Sequence, residues 1–203
     1  MLNKVSLIFL IVVCVGLVIF VFLYFYPLRG NSDVTDYASS ITASSSAASS
    51  SLCGIKEEEK AVNGNSLEPL VKSGETIKII FGFYACNPVV RDDIVAYQYA
   101  GNSNPIVKIA RGVPGDKWSL EKSGDYFLIQ VNGDIIKNSA GREYKIPATN
   151  KMLPLYAGDY PVIPENSYLI LGDGVNGSLD SSSFGFADGN NILGKVVLPS
   201  ASQ

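Results

Sequence analysis

The chain contains no histidine. That absence removes the Ser-His-Asp triad, the Cys-His dyad and every zinc site that needs imidazole. Cysteine is scarce as well, and 3 residues are too few for an all-thiolate tetrahedral zinc site. Charge makes up only 17% of the sequence, with 16 Lys and Arg against 19 Asp and Glu. A formal net charge of -3 gives no basic surface with which to neutralise phosphates, so DNA and RNA are excluded as expected partners. Proton transfer therefore falls to Lys, Asp, Glu, Tyr or Ser. A calcium site is not expected either. The Asp-rich loop from Leu171 to Gly185 places Val175 where an EF-hand needs an oxygen ligand and Phe184 where it needs a bidentate glutamate.

What the chain has in excess is apolar residues, 47% over 203 positions, and they concentrate at one end. Val5 to Tyr26 runs for about 22 residues without a charge, enough to cross roughly 30 Å of hydrocarbon as a helix. The run is longer than the apolar core of a cleaved signal peptide, so it is read as a retained signal anchor. Tyr24, Phe25 and Tyr26 suit an interfacial aromatic belt, and Pro27 ends the helix. Lys4 and the amino terminus bias residues 1–4 to the cytoplasm and the remainder to the outside. The expected placement is thus single-pass in the plasma membrane with a lipid bilayer as partner. Residues 27–52 are dominated by Ser, Ala and Thr and are read as a flexible tether.

From Cys53 to Gln203 apolar and polar residues alternate between Gly, Pro, Asn and Asp turns, which predicts a mainly β domain of short strands. Strands are expected at Lys60 to Val62, Thr76 to Ile80, Ile94 to Tyr99, Ile106 to Ile109, Trp118 to Leu120, Tyr126 to Val131, Tyr168 to Leu171 and Ile192 to Leu198, and no stretch carries a convincing helical period. Asn132-Gly133 predicts a type I′ hairpin, whose two central residues need positive φ. Ile79 to Tyr84 is read as an apolar loop that either dips into the membrane interface or packs in the core. An extracytoplasmic domain also places Cys53 and Cys86 where disulfides form, so they are a candidate pair, although no spacing rule fixes pairing.

Three stretches can carry chemistry. Val62 to Pro69 is a small polar turn holding Ser66. Pro105 to Asp116 is an apolar strand that contains Lys108 and ends in Pro-Gly-Asp. Period-two alternation puts Ile106, Lys108 and Ala110 on one face, where a desolvated lysine would become a neutral amine and a base. The third is the loop from Leu171 to Gly185, whose polar side chains could orient a neighbouring lysine or serine.

The order of anchor helix, Gly64-x-Ser66-x-x-Pro69, the Val107-Lys108 strand with Pro114-Gly115-Asp116, and then Gly172-Asp173, Asn176-Gly177-Ser178-x-Asp180-Ser181 and Phe184-Gly185 resembles the type I signal peptidases. The resemblance runs from about Val62 to Lys195 and includes Asp92-Asp93-Ile94-Val95. It implies a signal-peptidase-like β domain and a serine endopeptidase that removes signal peptides at the membrane surface through an acyl-enzyme, without cofactors. Ser66 corresponds to the nucleophile and Lys108 to the general base. Ser178 takes the position that helps hold the lysine, and Gly64 the place where some members put an oxyanion-hole serine, leaving the Ser66 N–H or a nearby donor to stabilise that charge. Leu67, Ala61, Val62 and Ile106 would border the substrate pocket, with Asp173 and Asp180 in support. Substrates would be secretory preproteins with small residues at the first and third positions before the cut. The chain also departs from the pattern: Leu67 stands where a Met usually follows the nucleophile, a nearly volume-conserving change, Ile109 replaces an arginine after the lysine, and Ser182 replaces the arginine that partners Asp180. Two other classes remain open, a membrane-tethered β binding domain with degenerate motifs and a self-cleaving Ser/Lys regulatory peptidase.

Overall fold

The computed structural model describes residues 53–174 and 177–199. The expected anchor at 5–26 and tether at 27–52 lie outside these residues. Among the described residues no helix is long and apolar enough to cross a membrane.

Two antiparallel sheets make up the fold. The larger has seven strands in the order β1-β2-β11-β3-β4-β9-β10. These are β1 Lys56–Ala61, β2 Thr76–Phe81, β3 Ile94–Tyr97, β4 Ile106–Gly112, β9 Ser167–Leu171, β10 Ala187–Asp188 and β11 Ile192–Val197. The smaller holds β5 Trp118–Ser123, β6 Tyr126–Val131 and β7 Asp134–Ile135 in that order, with β8 Lys145–Pro147 also paired to β6. Alternation explains the strands locally. In β2, Ile77 and Ile79 are buried while Thr76 is exposed, and they join Val62, Leu67, Val71 and Ile109 in one apolar cluster. A second cluster, with Trp118, Ile129, Leu153 and Leu171, packs the smaller sheet against the rest.

Most expected strands are present with shifted ends. β1 runs from Lys56 to Ala61 instead of Lys60 to Val62, because a Lys-Glu-Glu-Glu-Lys run forms a charged edge strand against β2, with Glu57 paired to Lys78. Asn132 at φ 54° and Gly133 at φ 92° form the hairpin between β6 and β7. The apolar loop expected at Ile79 to Tyr84 is the end of β2 followed by a 3₁₀ turn at Phe83–Ala85. Ile79 is buried and Phe81 packs on the same cluster. A disulfide joins Cys53 to Cys86 with their Cα atoms 5.8 Å apart. Gly82 lies against this junction at φ 73°, where an added Cβ would stand 2.9 Å from the Cys53 carbonyl oxygen, so only glycine fits.

Two short helices are present that no helical period in the sequence announced. α1 spans Met152–Asp159 and α2 Ser181–Phe184. α1 is short, contains Pro154 and Gly158, and buries only Leu153, so it lacks the repeating apolar stripe by which a helix is recognised. Its start is fixed by Asn150, whose Oδ1 accepts from the Leu153 N–H at 3.1 Å.

Candidate active site

A cleft of about 460 Å³ opens between the turn that follows β1 and the start of β4. Ser66 and Lys108 meet in it, with Lys108 Nζ 2.8 Å from Ser66 Oγ. The two residues are 42 positions apart in the chain. The turn places the serine through a set of backbone bonds: Val62 exchanges contacts with Glu75 and Gly74, and the Glu68 N–H donates to the Asn65 carbonyl. The Ser66 carbonyl in turn accepts from the Gly174 N–H at 3.0 Å, which ties the serine to the loop after β9.

Lys108 is only 3% exposed. Its amine donates to the Val107 carbonyl at 2.9 Å, and no carboxylate among the described residues forms an ion pair with it. Burial disfavours the ammonium form and pushes the pKa down to about 8, against a weaker opposing pull from the charge of Asp180. A neutral amine at hydrogen-bond distance from a serine hydroxyl can take its proton as the oxygen attacks a carbonyl.

The pocket residues expected from the sequence, Ala61, Val62, Leu67 and Ile106, all line this cleft. One expected contact is not present. Ser178 borders the cleft, but its Oγ has no hydrogen-bond partner among the described residues, and the lysine bonds to the Val107 carbonyl instead. The Gly64 N–H donates to Ser73 Oγ at 3.3 Å. The Ser66 amide donates to none of the described residues, which leaves it free to face an oxyanion.

Asp180 and Asp173 support the loop after β9 by different means. Asp180 caps α2, accepting from the Ser182 N–H at 2.9 Å and the Ser182 hydroxyl at 2.7 Å, and its other oxygen accepts from the Gly172 N–H at 2.9 Å. Ser182 thus supplies donors where the resemblance leads one to expect a guanidinium. Tyr144 holds the other side of Gly172, donating its hydroxyl to the Gly172 carbonyl at 2.9 Å. Asp173 is fully buried and accepts from the Ser139 N–H at 2.9 Å and from the Ser139 hydroxyl. Arg111 completes its surroundings at 3.4 Å and also pairs with Asp92 at 2.5 Å.

Gly172 is confined by this packing. An added Cβ would stand 2.6 Å from both Ser178 Oγ and the Ser66 carbonyl oxygen. Arg111, Ser139 and Tyr144 escaped the sequence reading. Arg111 lies inside the same strand motif as Lys108, so an arginine two places after Ile109 was an available signal. Nothing local to Ser139 or Tyr144 points to the loop after β9.

A family model described as signal peptidase, peptidase S26, matches residues 1–201. The chain belongs to this family. Family membership makes it a serine endopeptidase of the signal peptidase class. This peptidase is similar to signal peptidase IB of Staphylococcus aureus (strain COL), 30% identical over 152 residues that cover 66% of this chain and 73% of that protein. It is likewise similar to signal peptidase I of Bacillus caldolyticus, 29% identical over 143 residues covering 66% of this chain and 74% of that one. Among solved structures, a signal peptidase I from Enterococcus faecalis V583 shares 23% identity, covers 54% of this peptidase and 97% of its own chain, and superposes with a TM-score of 0.39.

Proposed function

We propose that the peptidase removes signal peptides from secretory preproteins with Ser66 as nucleophile and Lys108 as general base. The observation that carries this reading is the 2.8 Å contact between Ser66 Oγ and an amine that is buried without an ion-pair partner. Neutral Lys108 takes the proton from Ser66 Oγ while the oxygen attacks the scissile carbonyl. The C–N bond then breaks, the lysine proton goes to the leaving amine, and an acyl-enzyme remains. Lys108 next takes a proton from water, whose oxygen forms the new carboxylate, and returns a proton to Ser66. The Ser66 N–H faces the developing oxyanion.

The preprotein lies extended beside Ala61 to Gly64 and Pro105 to Val107, pairing by strand addition, with small side chains at the first and third positions before the cut beside Leu67, Val62 and Ile106. Residues 5–26 anchor the peptidase in the membrane with the β domain on the outer face, where such cleavage regions emerge.

The test is cleavage of a model preprotein by purified full-length protein. Wild type cuts after a small residue, whereas Ser66→Ala, Lys108→Ala and Lys108→Arg each lose at least about a thousandfold in rate, since arginine cannot supply a neutral amine. Substantial cleavage by Lys108→Arg refutes the assignment of the base.

A further inference from the structure

Beside the cleft that holds Ser66 lies a smaller one of about 210 Å³. The two are adjacent, and Gly177 and Ser178 line both. Gly174, whose N–H holds the Ser66 carbonyl, borders the smaller cleft as well. At the junction Ser178 Oγ is buried with no hydrogen-bond partner among the described residues. A buried hydroxyl without a partner among the described residues is a donor and acceptor that a bound peptide backbone can use.

The far wall is β8. Among the described strands it pairs with β6 alone, so its other edge is open. The Ala148 N–H donates to the Asp125 carbonyl at 2.8 Å, and the register sets Ile146 opposite Phe127. Antiparallel alternation then turns Ile146 and Ala148 to β6, and the N–H and C=O of Lys145 to the open edge. Pro147 occupies the next outward position, where a strand tolerates a missing N–H. Lys145, with this free backbone pair, thus lines a cleft adjacent to the one that holds the nucleophile.

Resting on the signal-peptidase reading above, the geometry points to the smaller cleft as the subsite for the mature side of the preprotein. The first residues after the scissile bond cross Gly177 and Ser178 and pair as a short strand with Lys145 of β8. A polypeptide bound across Ser66 has two arms, and with the arm before the cut in the larger cleft the arm after it needs a place of its own. The subsite holds the leaving amine while Lys108 returns the proton to it. Departure of the mature segment then clears the path for the water that hydrolyses the acyl-enzyme.

The test compares two peptides identical up to the cut, one ending a single residue after it and one carrying four more. A third set carries an N-methyl group on each of the first three mature residues in turn. With the wild-type enzyme, extension lowers KM about tenfold, and methylation at one position alone removes that gain, as expected for loss of backbone hydrogen bonds. Lys145→Pro deletes the outward N–H without touching the β6 ladder and abolishes most of the gain, whereas Lys145→Ala retains it. Ser66-dependent cleavage of both peptides at equal KM, with no position sensitive to methylation, overturns the subsite alone. Failure of the wild type to cut either peptide overturns the catalytic reading and the subsite with it.

Discussion

Strand β4 carries two cations three residues apart, and the fold treats them in opposite ways. Lys108 is buried without an ion-pair partner among the described residues, and its pKa falls to about 8. Arg111 has a side chain only 13% exposed, yet it reaches Asp92 at 2.5 Å and Asp173 at 3.4 Å and stays charged. Burial is common to both. The difference lies in the counter-charge: Arg111 has carboxylates within reach, and Lys108 has only a serine hydroxyl and a backbone carbonyl. A desolvated cation without a partner becomes a base, and one with partners becomes a structural pin. Stability and reactivity are thus separated within one strand.

The contrast breaks first at the loop that links the two sites. Gly172→Ala forces a Cβ against the Ser66 carbonyl and Ser178 Oγ, so the nucleophile moves away from the amine. Activity on a model preprotein is expected to fall more than a hundredfold, a displacement of that size being enough to spoil an in-line attack, while circular dichroism keeps its β signature. Near-normal activity would show that the loop yields without moving Ser66.

Stability measurements sharpen the comparison. Arg111→Leu leaves fully buried Asp173 with only Ser139 as partner, and should lower the unfolding free energy in urea by about 3 kcal/mol. Lys108→Met removes an amine that folding desolvates without an ion-pair partner, and should leave stability unchanged or raise it by up to about 1 kcal/mol although the enzyme is inactive. Equal destabilisation by the two variants would erase the distinction drawn here.

A smaller effect concerns Asp180, whose charge opposes the depression of the Lys108 pKa. Asp180→Asn keeps an oxygen for the Gly172 N–H but removes the charge, so the pH–rate profile should move to lower pH. A move to higher pH contradicts the sign of that interaction.

Much of this site could be read before the structure, and what escaped has physical reasons. Ser66 and Lys108 stand in short motifs whose order along the chain is distinctive, and alternation already suggested that Lys108 shares a side with Ile106 and Ala110. Strands such as β6 carry their own period and a glycine turn. α1 carries none, since it is held by Leu153 in the core and by Asn150 at its start. β7, β8 and β10 are two or three residues long and exist only because a longer strand offers a ladder. The donors around Gly172 and Asp173, namely Tyr144, Ser139 and Arg111, lie 28 to 62 positions away from their acceptors. Local patterning holds no record of such pairs. Ser182 is a different case: it donates to Asp180 from two positions away, a contact open to any serine at a helix start, so the sequence did not single it out.

The central claim is that Lys108 works as a neutral amine because burial lowers its pKa. It is tested most directly by the pH dependence of kcat/KM on a model preprotein peptide. Below the lysine pKa the amine is protonated and cannot accept the serine proton, so activity should rise with pH and level off, with its midpoint near 8. A midpoint near 10.4, the value of an unperturbed lysine, would contradict the account.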